Sequence, residues 1–130
     1  MRDRIRGLLP LLVLFAFAVP VSAAETAPLP RLVDLGAGKC IPCKKMAPII
    51  EELKKDYAGV VDVVFVDVWK NQDAGKPYRI RLIPTQVFFD REGREVFRHE
   101  GFFSRDEIET VFREKLGVKP VVKPASGEKT

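Results

Sequence analysis

The chain has 130 residues, 46% of them apolar and 31% charged, which is room for one globular domain and not the composition of a disordered chain. Its 22 basic and 18 acidic residues leave a net charge of +4, a scattered surplus too small to point to nucleic acid. Two cysteines, three positions apart, exclude a disulfide-rich scaffold and a four-cysteine zinc site.

The first segment reads as an address. Arg2, Arg4 and Arg6 form a positive n-region, and Leu8–Val19 is an apolar run of twelve residues. Pro20 then breaks any helix, and Val21-Ser22-Ala23 supplies the small residues of a cleavage site. A membrane span needs about 20 apolar residues. The shorter run predicts a secretory signal peptide over residues 1–23, cleaved after Ala23 or Ala24, with an uncleaved anchor as the alternative. Cleavage removes three basic residues and Asp3, leaving 107 residues with 19 basic and 17 acidic groups. The expected location is periplasmic or otherwise extracytoplasmic, where disulfides persist.

Residues 24–30 contain Pro28 and Pro30 and read as a linker. Leu32–Leu35 predicts a short buried strand ending at Gly36 and Gly38. From Pro42 the spacing of Met46, Ile49, Ile50, Leu53 and Tyr57 predicts a helix, kinked at Pro48. Val60–Val68 is so rich in valine that it predicts a strand buried on both faces. Asn71–Tyr78, with Gly75 and Pro77, holds only a short irregular helix. Thr85–Phe89 predicts a strand, Asp90–Gly93 a hairpin turn and Arg94–Glu100 the return strand near a sheet edge. Ser104 with Glu107 makes a capping box for a last helix striped by Ile108, Val111, Phe112 and Leu116 and closed by Gly117. Residues 118–130 read as a disordered tail.

This order predicts an α/β fold over residues 31–117. Its mixed four-stranded sheet has helices on both faces, a parallel strand–helix–strand unit and an antiparallel hairpin. Phe88, Phe89, Phe97 and Phe112 are core candidates. Trp69 reads as packing, with a place flanking the active site as the alternative, and His99 as a surface histidine. Phe102 and Phe103 are divided between core and an apolar docking surface.

The chemistry concentrates at Cys40-Ile41-Pro42-Cys43, at a strand-to-helix junction. The helix start directs unpaired backbone donors and a positive dipole end at Cys40, which favours its thiolate. Lys39 adds a charge beside it. Cys43 is one turn on, near enough to close a small disulfide ring, and Pro42 fits the first turn because its missing donor is not needed there. A Cys-x-x-Cys in this context reads as a redox motif. Haem attachment is excluded because Lys44 stands where a histidine is needed. Binding of a soft monovalent metal by the two thiolates, and a purely structural bridge, stay open.

These residues resemble the thioredoxin family. Val33-Asp34, the spacing from Asp34 to Cys40, the run Cys43-Lys44-Lys45-Met46-Ala47-Pro48, the segment Tyr78–Thr85 and Gly101 recur there in this order. The resemblance covers Arg31 to Gly117 and implies a thioredoxin-like fold, shortened at the N-terminus. It implies that Cys40 attacks, that Cys43 resolves, and that Asp34 is a buried carboxylate behind Cys43 that moves its proton. It also implies that Ile83-Pro84 is a cis bond facing the cysteines, where Ile83 pairs with an extended substrate beside Ile41 and Pro42. The chain departs from the family at Lys39 in place of tryptophan and Ile41 in place of glycine. The buried lysine of the second strand is replaced near Val63.

The reading is an exported thiol–disulfide oxidoreductase of the protein-disulfide reductase type, a monomer acting on protein disulfides or dithiols. No cofactor or metal is expected, since no nicotinamide or flavin motif is present. Electrons must come from an outside donor, expected to be an integral-membrane thiol protein. The rivals are a soft-metal carrier using the same thiolates and a redox-inert interaction domain.

Overall fold

Strand β1 (Arg31–Gly36) carries Leu32, Val33 and Leu35, all wholly buried, so both of its faces are covered and it belongs in the middle of a sheet. In the computed structural model, which describes residues 27–121, it lies there. β1 pairs in parallel with β2 (Asp62–Asp67) and antiparallel with β3 (Thr85–Phe89), which pairs antiparallel with β4 (Glu95–Glu100). The order across the sheet is β2-β1-β3-β4. Helix α1 (Ile41–Asp56) makes the crossover from β1 to β2. A four-residue helix α2 (Gln72–Gly75) and a 3-10 turn (Lys76–Tyr78) lead to β3, and α3 (Arg105–Lys115) follows β4. The mixed four-stranded sheet is the one the sequence predicts.

Strand alternation sorts the side chains into two layers. Leu32, Val63 and Phe88 face α1 and α3, packing with Met46, Ile50, Leu53, Ile108 and Phe112. Val33, Leu35 and Val87 face the other way, beneath Val66, Val68, Tyr78, Ile80 and Phe89. Each fully buried aliphatic side chain contributes roughly 1.5–3 kcal/mol, so the first, larger layer dominates stability. Helix α1 runs through Pro48 without interruption. Arg105 joins α1 to α3, bonding Glu52 at 2.9 Å, Asp56 at 2.5 Å and Glu109 at 2.8 Å.

Four expectations need correcting. Val60–Val68 is not a doubly buried strand: β2 spans Asp62–Asp67, pairs only with β1 among the described residues, and leaves Phe65 exposed. Valine content reported strand propensity, whereas burial was set by edge position. Residues 118–121 do not behave as a tail. Gly117 turns at φ +65°, the Val118 N–H donates to the Phe112 carbonyl, Val118 is buried, and the Val121 N–H donates to the Asp56 carbonyl. Trp69 is exposed rather than packed. His99 is half-buried, stacked on the buried Phe103 at 4.1 Å, while Phe102 is exposed. The expected signal peptide, residues 24–26 of the linker and residues 122–130 of the tail lie outside the described residues.

Candidate active site

Cys40 is the N-cap of α1, with extended backbone at φ −78° and ψ 120°. Its Sγ accepts from the Cys43 N–H at 3.4 Å, and its carbonyl accepts from the Lys44 N–H at 3.0 Å. Ile41 and Pro42 fill the first turn and point outward, Ile41 being 72% exposed. Cys40 and Cys43 are joined by a disulfide with Cα atoms 5.2 Å apart. The helix geometry creates an asymmetry between them: Cys40 is half-buried, whereas Cys43 is only 3% exposed. Only Cys40 lies open to a large partner, and only its sulfur receives a backbone N–H at a helix start, which stabilises a thiolate.

The loop before α1 is fixed by two residues that the sequence reading did not single out for this role. Gly36 sits directly under the buried cysteine: a methyl group there would lie 3.1 Å from the Phe65 ring, 3.2 Å from Cys43 Cβ and 3.3 Å from Cys43 Sγ. Asp67, at the end of β2, accepts from the backbone N–H groups of Lys70 at 3.0 Å, Trp69 at 3.1 Å and Gly38 at 3.3 Å. These bonds, the one from Lys70 foremost, hold its carboxyl below the usual carboxylate range. They also tie the turn carrying Trp69 to the turn leading into Cys40. A groove of about 220 Å³ beside Cys43 is lined by Ala37, Gly38, Lys44, Ala47 and Phe65. A larger cleft of 420 Å³, between Pro28, Arg31, Tyr78 and Phe89, lies at the opposite end of β1 and touches neither cysteine.

Asp34 is wholly buried on β1. Two residues before Gly36, it shares the face on which Cys43 packs. Its cross-strand partner on β3 is Gln86, also wholly buried, whose Nε2 donates to Asp34 Oδ1 at 2.9 Å. Asp34 Oδ2 and Gln86 Oε1 have no partner among the described residues. Burial pushes the Asp34 carboxyl up to about 6, opposed by the Gln86 bond. Gln86 was missed from sequence; its signal was a long polar side chain in the same register as Phe88 on a buried strand.

The Ile83–Pro84 peptide bond is cis. Thr85 pairs with Leu35, so Pro84 stands at the sheet end where β1 runs into the cysteine turn. Pro84 is buried and its carbonyl accepts from the Gly101 N–H at 2.8 Å. The Thr85 hydroxyl donates to the Leu82 carbonyl at 2.8 Å, and Arg81 makes a two-pronged bond to Glu100 at 3.0 and 2.7 Å. The backbone N–H and C=O of Ile83 are in no hydrogen bond among the described residues. The same residues contain no cluster of three or more His, Cys, Asp or Glu side chains able to hold a metal.

Comparison with known proteins agrees with this geometry. Residues 16–114 match the family model described as thioredoxin. The chain is 42% identical over 92 residues to thioredoxin C-2 of Corynebacterium nephridii, covering 71% of this chain and 82% of that protein. It is 36% identical over 86 residues to a thioredoxin of Staphylococcus aureus, covering 66% of this chain and 82% of the relative. Among solved structures it resembles a chloroplastic thioredoxin z, with a TM-score of 0.57 and 30% identity over 64% of this chain and 74% of the other.

Proposed function

The chain belongs to the thioredoxin family and is a thiol–disulfide oxidoreductase, and from that premise we propose that it works as an exported reductant of protein disulfides, with Cys40 attacking and Cys43 resolving. The observation that carries the assignment is the exposure difference between the two cysteines. In the reduced protein the Cys40 thiolate attacks one sulfur of a partner disulfide. The partner's S–S bond breaks, a Cys40 mixed disulfide forms, and the first partner thiolate leaves and takes a proton. Cys43 gives up its proton and attacks Cys40 Sγ, releasing the second partner thiolate. Two electrons have passed to the partner, and the chain is left as its Cys40–Cys43 disulfide.

Asp34 takes the Cys43 proton. Same-face positions on a strand are about 7 Å apart, a gap spanned by the carboxylate's reach and one bridging water. The extended partner segment lies along Ile83 and Pro84, pairing with the unengaged Ile83 backbone, and Ile41 and Pro42 offer it an apolar flank. A dithiol donor must restore the reduced state, and an integral-membrane thiol protein suits an exported enzyme. The arginine n-region and the Val21-Ser22-Ala23 site support export. N-terminal sequencing of the secreted fraction should find Ala24 or Glu25 as the first residue; a chain still starting at Met1 would count against processing.

The reducing direction rests on the absence of a strong thiolate stabiliser beyond the helix start. Lys39 is exposed and screened, worth a fraction of a kcal/mol, on the order of ten to twenty millivolts. Equilibration with a dithiothreitol or glutathione series should therefore give a potential nearer about −270 mV than about −120 mV. A value above about −180 mV would overturn the reductant reading and favour an oxidase.

A further inference from the structure

We propose that Gln86 is a positioning residue for proton transfer, holding Asp34 through Oδ1 so that Oδ2 is the atom that exchanges the proton of Cys43. This inference rests on the reading of Asp34 as the proton acceptor. Its basis is an imbalance in buried polar groups. Asp34 and Gln86 are both wholly buried and face each other across β1 and β3. One hydrogen bond joins them, from Gln86 Nε2 to Asp34 Oδ1 at 2.9 Å. Two acceptors then remain without donors among the described residues: Asp34 Oδ2 and Gln86 Oε1.

Buried side-chain acceptors without donors are uncommon, and each is costly. An apolar residue at position 86 would remove the orphan Gln86 Oε1 but would strip Asp34 Oδ1 of its donor, so the glutamine is there for the buried carboxyl. What glutamine provides is a neutral donor to a carboxylate deep in an apolar layer. A neutral donor leaves the carboxyl able to change protonation, whereas a buried cation at the same place would hold it ionised.

The surroundings single out Gln86 as the group that tunes it. On the face shared with Asp34, α1 contributes the titratable Cys43, β2 contributes Phe65 opposite Asp34 and then Asp67 at its end, and β4 contributes His99 opposite Gln86. Asp67 is engaged by three backbone N–H groups, and His99 Nε2 bonds the Phe102 carbonyl while its ring stacks on Phe103. None of these groups bonds the Asp34 side chain; among the described residues Gln86 alone does. Its Nε2–H favours the charged form, because a hydrogen bond to a carboxylate is stronger than one to a neutral acid. Loss of the amide should raise the pH at which Asp34 begins to accept protons.

The test is the pH dependence of resolution. Reduced protein treated with Ellman's reagent forms a Cys40–thionitrobenzoate mixed disulfide, and Cys43 releases the thionitrobenzoate at a rate followed by absorbance. In the wild-type chain this rate should show an inflection that Asp34→Asn abolishes. In Gln86→Leu the inflection should move to higher pH by about one unit, with a loss of several-fold in rate below it. If Asp34→Asn abolishes the inflection but Gln86→Leu leaves it in place, the role of Gln86 is wrong and that of Asp34 stands. If Asp34→Asn leaves the inflection intact, the proton-acceptor reading fails and this inference falls with it. Should Gln86→Leu not fold, NMR of the wild-type chain decides: the Gln86 side-chain amide resonances should titrate with the midpoint of Asp34. An amide that is flat through that midpoint overturns the proposal.

Discussion

Asp34 makes the chain's stability depend on pH in a direction opposite to most carboxylates. Its folded-state value of about 6 lies above the ordinary 3.8, so between those values the folded chain binds more protons than the unfolded one. The contribution is fully present below about pH 4 and is lost as pH rises through about 6. The gap of about two units corresponds to roughly 3 kcal/mol as an upper figure at neutrality. Asp34→Asn should therefore unfold later than wild type in urea at pH 7.5 and gain little at pH 4. An equal gain at both values would show that Asp34 is ionised normally in the folded chain. At Gly36 the problem is space. Gly36→Ala must displace Cys43 or Phe65 by a few tenths of an ångström, at a cost of about 1 kcal/mol or more. Thermal unfolding should register that loss, and an unchanged transition would mean that the layer over Gly36 yields without cost.

At the scale of elements, the helix ends were the most legible parts of the sequence. The capping box at Ser104 is present: the Ser104 side chain accepts from the Glu107 N–H at 3.4 Å, and the Ser104 N–H donates to the Glu107 carboxylate at 3.0 Å. Ser104→Ala should cost about 1 kcal/mol, lowering the midpoint by about 4–8 °C for a domain of this size; a shift below about 1 °C would mean that packing alone holds α3. Local patterns of this kind sit within four residues and carry their own geometry. Strand burial is different. Val60–Val68 misled because the neighbours of β2 are set by the order of the whole sheet, which no window of nine residues contains. The Cys-x-x-Cys turn was readable because one helical turn dictates it. Asp67 was not, because its bond to Gly38 joins positions 29 residues apart. Gln86 and Asp34, 52 residues apart, meet only through the register of β1 and β3.

In the whole molecule, one sheet end gathers the parts of the candidate site. β1 delivers Asp34 and Gly36 and runs into the cysteine turn, while β3 starts there with Pro84 and carries Gln86. Asp67 and the Arg81–Glu100 pair pin the loops on either side. Cys43 is buried beneath, and in the proposed mechanism Cys40 is the sulfur that meets a partner. That division of labour is the central claim, and trapping tests it most directly. Reduced Cys43→Ser and Cys40→Ser are each mixed with an oxidised protein substrate, and the cross-linked products are mapped by mass spectrometry. Cys43→Ser should accumulate a mixed disulfide through Cys40, because attack survives and resolution is lost, while Cys40→Ser should trap almost nothing. Equal trapping by the two variants, or trapping through Cys43, would contradict the account.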